Sequence, residues 1–340
     1  VALQVALEAA GVELGDEVIV PSYTFIATAS SVALVGGVPV FVDVDPDTYL
    51  IDPAGVEAAI TEKTKAIIAV HIAGQPADLD ALTAIAAKHD VRLIEDAAQA
   101  HAAAWKGRRV GAIGDLGTFS FQASKNLNAG EGGFVVSDDD ELHLRAWSIH
   151  NCGRAPGGEW YEHPLVGGNY RLTEMQAALA LSQMQRLEEQ TKTRTRNAAL
   201  LTEQLSEIEG IGPLTVDDRV TCHAYHLYVL RFDSDAFGGA SREQFLKTLA
   251  AEGIPCAAGY KPLYREPAFQ ARFSEFPLSS PAFGGRPDYS NVHCPVTERI
   301  CADEAVWLTQ NLLLGSDSDI SQIAEAIAKI ARQPEALATA

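Results

Sequence analysis

Residues Lys65–Gln99 read KAIIAVHIAGQPADLDALTAIAAKHDVRLIEDAAQ, two apolar runs rich in Val and Ile on either side of the amphipathic segment Asp78–Asp90. Apolar runs of this length, joined by a helix-period segment, are the signature of parallel strands covered on both faces. The same alternation extends outward. EVIVPSYTF (Glu17–Phe25) and PVFVDVD (Pro39–Asp45) precede it, and LGTFSFQ (Leu116–Gln122) and GGFVVS (Gly132–Ser137) follow it. The pattern predicts an α/β fold with a mostly parallel, doubly wound sheet sandwiched by helices. Its last strands are too close in sequence for a helical crossover, so that edge is expected to be antiparallel.

Beyond the sheet, Leu172–Leu205 carries helix-period apolar positions between charged ones and reads as one long helix or two in sequence. After Gly210 the pattern changes to YHLYVLRF, a helix around Arg242–Glu252, the short run IPCAAGY and a terminal helix from about Asp319 to Arg332. This predicts a large domain over residues 1–210, including the bridging helices from about 172, and a smaller C-terminal α+β domain over 211–340. Pro156–Gly158 and Ser279–Ser290, rich in Pro and Gly, read as loops.

Composition narrows the function. The 340 residues are 47% hydrophobic and 21% charged, enough to bury a substantial core. A net charge of −19 argues against a nucleic-acid binder, whose affinity rests on clustered Lys and Arg. A small anion remains compatible, because one pocket can be locally positive. No stretch approaches the roughly 18 uninterrupted apolar residues of a membrane helix, and Val1–Ala10 has neither a basic flank nor the character of an export signal. The five cysteines are scattered and without CxxC spacing, which fits a reducing cytoplasm and argues against a metal site.

Two constellations carry chemistry. In TFSFQASKNLNAGEGG (Thr118–Gly133) a lysine, Lys125, follows closely on a buried-strand pattern. Partial desolvation there lowers an ammonium's pKa and frees the amine as a nucleophile for a carbonyl; a surface lysine at a strand end is the alternative. Gly130, Gly132 and Gly133 serve either a close ligand approach or a turn, and their spacing is not that of a nucleotide P-loop. In LIEDAAQAHAA (Leu93–Ala103) a strand pattern ends in Glu95 and Asp96, with Gln99 shortly after. Acids at the carboxyl ends of parallel strands are candidate site residues, although Asp96 also suits a helix N-cap. An imine-forming lysine, a carboxylate to keep a ring nitrogen protonated and a phosphate donor are what pyridoxal phosphate requires, and Lys125, Asp96 and Ser120 are of those types.

At this point the chain resembles the sugar and cyclitol aminotransferases, which share the fold-type I architecture of aspartate aminotransferase. GDEVIVPSYTFIATA, FVDVDPDTYLIDP, VHIAGQPADLDAL, LIEDAAQAHAA, FSFQASKNLNAGEGG and GGNYRLTEMQAALALSQMQRL occur in that family's order over essentially the whole chain. The resemblance implies pyridoxal phosphate as cofactor, held as an imine by Lys125. It makes Asp96 the partner of the pyridinium nitrogen, with Gln99 near the 3′-oxygen and ring. Phe25 of PSYTF would stack on the ring, and Ser120 would donate to the phosphate. Asn169 of GGNYR would reach the phosphate of a neighbouring subunit, which implies a homodimer with shared sites.

The implied reaction moves an amino group from L-glutamate or L-glutamine to a keto sugar, often nucleotide-linked, or to a keto cyclitol. HNCGR, GGNYRLTEM, YKPLYREPAF and CPVTERICADEAVWLTQNLLLG lean toward the cyclitol enzymes and 3-amino-5-hydroxybenzoate synthase, with Tyr264 where nucleotide-sugar enzymes carry the His of YxPLH. Two alternatives stay open, aromatisation of the kind that synthase performs and a non-catalytic binding protein; a dehydratase of the same fold is a further rival, but its branch carries His in place of the lysine, and here Lys125 is present. Family members also begin upstream of Val1, with a Gly-Thr or Gly-Ser pair before the first helix that serves the phosphate. That pair is absent from this sequence, and its absence is consistent with either a fragment boundary or a loss.

Overall fold

The computed structural model describes residues 1–270 and 287–333. In chain order the strands are β1 (Glu17–Pro21), β2 (Val38–Val42), β3 (Thr64–Val70), β4 (Arg92–Asp96), β5 (Ala104–Trp105), β6 (Arg108–Arg109), β7 (Leu116–Ser120), β8 (Gly133–Val136), β9 (Ile211–Pro213), β10 (Val220–Cys222), β11 (Leu227–Phe232) and β12 (Ala305–Thr309). Six of them form the central sheet in the order β2-β1-β3-β4-β7-β8. All neighbours in it are parallel except β7 and β8, which run antiparallel at one edge, as their short connection requires.

The β3–β4 crossover shows why the sequence folds this way. Asp78 caps the helix Leu79–His89 by accepting the Ala81 N–H, and Lys88 and His89 lie in its last turn, where cations suit the dipole. Asp90, in the left-handed conformation (φ 55°), ends it. Leu79, Leu82, Ile85 and Ala86 pack into the same core as the sheet. Both faces of the sheet are covered, so Ile67, Ile68, Val18, Ile19 and Ile94 are fully buried.

The expected bridging segment is one helix of 32 residues, Glu174–Leu205, opened by a capping box between Thr173 and Gln176. Its C-terminal part, at Ala198, Leu201 and Leu205, packs in a second apolar core with the antiparallel sheet β12-β11-β9 and the helices Arg242–Ala251 and Asp317–Ala331. The C-terminal part also returns to the first body: β10 pairs with β5 beside the central sheet, and Leu263, Tyr264, Phe269 and Cys294 pack in the core of that sheet. IPCAAGY forms no strand beyond the single bridge of Ala257 to Trp307. The loop expected at Ser279–Ser290 lies outside the described residues as far as Arg286. No described helix is long and apolar enough to cross a membrane.

Candidate active site

Glu95 and Asp96 end β4, and strand alternation sends them to opposite faces. Glu95 is fully buried. It accepts from Gly111 N–H at 2.7 Å, from Ile113 and Gly114 N–H at 2.7 Å each, and from His71 Nε2 at 2.9 Å. The Ala77 N–H donates to His71 Nδ1, so Nε2 carries the ring proton that reaches Glu95. Burial alone would raise the Glu95 pKa, but the His71 contact and the backbone donors outweigh it and leave the carboxyl below its ordinary value. The turn that delivers those donors lies hard against β7: a Cβ on Gly117 would sit 2.0 Å from the Gly111 carbonyl oxygen, so only glycine fits. Glu95 therefore has its acceptor capacity spent within the fold.

Asp96 faces a cavity of about 890 Å³ at the carboxyl ends of the strands. No helix follows β4, so Asp96 is not an N-cap; its Oδ1 takes only a long 3.3 Å bond from the Ala98 N–H, while Oδ2 accepts from Thr28 Oγ1 at 2.9 Å. Burial raises the Asp96 pKa, against the Thr28 contact, the Ala98 N–H and the charge of Lys125. Burial lowers the Lys125 pKa, opposed by the charge of Asp96. The two groups thus line one cavity and sense each other's charge. Lys125 is half-buried and lines the cavity.

The other sequence-derived residues divide. Phe25, Gln99 and Ser120 line the same cavity. Phe25 is 56% exposed, so it is no core residue, whereas Tyr23 two positions earlier is buried and accepts from Trp307 Nε1 at 3.0 Å. Gln99 is held at both ends: Oε1 accepts from the Ala73 N–H at 2.7 Å and Nε2 donates to Tyr260 Oη at 2.9 Å. Asn169 does not line this cavity. It sits on an exposed segment bridged to Asn151, beside a separate depression. Of the glycines, Gly132 lines the cavity in a left-handed turn (φ 138°), and Gly133 opens β8.

Tyr264, which stands where the nucleotide-sugar enzymes carry the His of YxPLH, lies away from the cavity. It is fully buried, with Oη donating to Glu298 Oε1 at 2.5 Å and accepting from the Cys294 N–H at 3.1 Å, and it lies outside the cavity lining. The wall that sequence reasoning missed comes from the C-terminal part: His226, Tyr260, Trp307, Thr309, Gln310 and Asn311. Burial pushes His226 down to about 3, so it is neutral, and its Nδ1 lies 3.2 Å from Asn126 Oδ1. Because the Asn126 amide nitrogen donates to the Ala224 carbonyl, Nδ1 is the His226 donor. The segments YKPLYREPAF and CPVTERICADEAVWLTQNLLLG, which hold Tyr260 and Trp307–Asn311, stood out in the sequence, but only as signs of the substrate branch and not as parts of the wall.

A carboxylate with spare acceptor capacity, an amine of lowered pKa and strand-end hydroxyls fit a cofactor with a carbonyl, a basic ring nitrogen and a phosphate. Fold and site together define an α/β transferase of the fold-type I class. The chain belongs to the DegT/DnrJ/EryC1/StrS aminotransferase family, whose sequence pattern matches residues 1–328, and it is a pyridoxal-phosphate-dependent aminotransferase. It is 46% identical over 341 residues to a Streptoalloteichus tenebrarius protein with the provisional name L-glutamine:3-amino-2,3-dideoxy-scyllo-inosose aminotransferase, covering 99% of this chain and 82% of that one. It is 43% identical over 343 residues to the L-glutamine:2-deoxy-scyllo-inosose aminotransferase of Micromonospora echinospora, covering 96% and 79%. The crystal structure of 3-amino-5-hydroxybenzoic acid synthase superposes with a TM-score of 0.85 at 38% identity, over 98% of this chain and 84% of that one.

Proposed function

We propose that this enzyme transfers the amino group of L-glutamine to a keto cyclitol. The observation that carries the reading is the cavity that Asp96 and Lys125 share; the names of the relatives supply donor and acceptor. When bound, pyridoxal phosphate supplies a carbonyl that condenses with amines and a ring that accepts electrons from the donor's α-carbon. Lys125 Nζ holds the cofactor, then takes the proton from the donor's α-carbon and delivers one in the acceptor half of the cycle. Asp96, whose Oδ1 is weakly engaged, would keep the cofactor's ring nitrogen protonated. Phe25, Gln99 and Ser120, which line the same cavity, would hold the cofactor's ring, its 3′-oxygen and its phosphate, respectively.

We further place Asn169 at the phosphate of a second copy. Trp160, Tyr161, Val166, Met175, Leu181 and Met184, all from one continuous stretch around it, are exposed, and Val166 is 97% exposed. A patch of this kind supports a homodimer. The cytoplasm is the compartment in which its five free thiols stay reduced.

The test is direct: protein loaded with pyridoxal phosphate should lose its visible absorbance on addition of L-glutamine and regain it with 2-deoxy-scyllo-inosose, releasing an amino cyclitol. The similarity to 3-amino-5-hydroxybenzoic acid synthase favours a second reading, aromatisation of a cyclic keto substrate. A product with aromatic ultraviolet absorbance would establish it in place of the first.

A further inference from the structure

Every amino-acid donor brings an α-carboxylate, and a carboxylate leaving water needs a compensating charge or several donors. Lys125 is the only cationic side chain among the described residues that line the cavity, and the reaction occupies it. A buried positive charge lies one residue behind the cavity wall: Arg194, on the Glu174–Leu205 helix, which contacts the lining residue Gln310. It is 1% exposed, yet no described carboxylate pairs with it. Burial pulls its pKa down only to about 10, so it stays charged at neutral pH. Its Nη1 is buried and without a hydrogen-bond partner. An unpaired guanidinium inside a protein is costly unless an anion offsets it.

Arg194 connects to the cavity through one residue. Its Nε donates to Gln310 Oε1 at 3.0 Å, and its Nη2 donates to the same oxygen. Two guanidinium donors fix the amide: Oε1 faces Arg194, and the Gln310 Nε2 group is turned away with both hydrogens unspent among the described residues. Gln310 lines the cavity immediately after β12, beside Asn311. Asn311 Oδ1 accepts from Thr309 Oγ1 at 2.7 Å, which leaves its amide hydrogens free in the same way. The charge behind Gln310 also polarises its amide and strengthens the donors it presents.

We propose that Gln310 and Asn311, with Arg194 as the positioning residue behind them, form the subsite for the α-carboxylate of the amino donor. The inference rests on the reading that L-glutamine is the donor. Two neighbouring amide groups, one of them backed by a buried cation, suit a carboxylate, whereas a neutral cyclitol hydroxyl gains nothing from that charge. The acceptor, which has no carboxylate, is held by other parts of the cavity.

Gln310→Glu tests this with the cofactor-loaded enzyme, because the new carboxylate keeps Arg194 paired and the fold intact while removing the donors and repelling the ligand. The KM for L-glutamine should rise at least about thirty-fold, as loss of hydrogen bonds to a charged group implies. The KM for the keto acceptor should stay within about twofold. Calorimetric binding of α-methyl-L-glutamine, which has no α-hydrogen to lose, should weaken in parallel with the L-glutamine KM. Wild type should discriminate against L-glutamine α-amide, and Gln310→Glu should lose that preference. A variant that keeps the wild-type KM for L-glutamine, or loses affinity for donor and acceptor equally, overturns the inference. A wild type inert toward L-glutamine overturns the donor assignment itself and this subsite with it.

Discussion

Glu95 and Asp96 are consecutive on β4 and both carboxylates are buried, yet Glu95 accepts three backbone N–H groups and His71 while Asp96 faces the cavity with one oxygen barely engaged. The contrast separates a carboxylate consumed by the fold from one left for chemistry. Glu95→Gln should therefore cost stability, about 2–4 kcal/mol in denaturant unfolding, because an amide cannot accept all four donors. Asp96→Asn should instead slow the L-glutamine half-reaction by about a hundredfold or more, ~2.7 kcal/mol in the barrier, at near-native stability. No helix follows Asp96, so an unchanged rate could not be ascribed to capping and would remove its role at the ring nitrogen.

The same pair predicts a pH dependence. The Glu95 pKa is lowered in the folded state, so the unfolded chain binds the proton more readily. Its contribution is fully present above the unfolded value of about 4.3 and is lost as pH falls through the folded value. The stability gap between wild type and Glu95→Gln should be constant near neutrality and should shrink on acidification below that point. Urea midpoints measured from pH 7 to pH 3 check it, and a gap that widened in acid would reverse the assignment.

Tyr264 tests how far local resemblance reaches. It occupies the position of a family histidine, but it is buried between Glu298 and the Cys294 N–H, away from the cavity lining. Tyr264→Phe should lower stability by about 1–3 kcal/mol, the cost of leaving buried partners unsatisfied. The KM for the keto acceptor should not change. A shift in acceptor preference without loss of stability would restore a substrate role.

The parallel strands and the long helix were legible because continuous apolar runs and period-3.6 patterns are local, and so was the placing of Asp96 at a strand end and Lys125 soon after one. What was not legible depends on contacts across great sequence separation. Gln99 finds Tyr260 161 positions away, and Arg194 finds Gln310 116 positions away. No local pattern marks Gln310 as a wall residue, since a polar residue after a strand reads as a turn. The separate fates of Glu95 and Asp96 were likewise hidden, because only the Gly111–Gly117 approach decides which acid meets the backbone donors.

Lys125 carries the most exposed prediction. Burial lowers the pKa of its amine and the charge of Asp96 opposes that shift, which eases loss of the ammonium proton relative to a solvated lysine. Lys125→Ala should abolish transamination, because no other amine lines the cavity among the described side chains. Lys125→Arg should be equally inactive: a guanidinium keeps the charge beside Asp96 but does not lose its proton at working pH. Borohydride treatment of the cofactor-loaded wild type, followed by peptide mapping, should place the pyridoxyl group on Lys125. Lys106 is the control. It lies in a surface turn, ion-paired to Asp80 at 2.5 Å and outside the cavity lining. An adduct on Lys106, or undiminished turnover in Lys125→Arg, would show that the cavity amine is not the group that holds the cofactor.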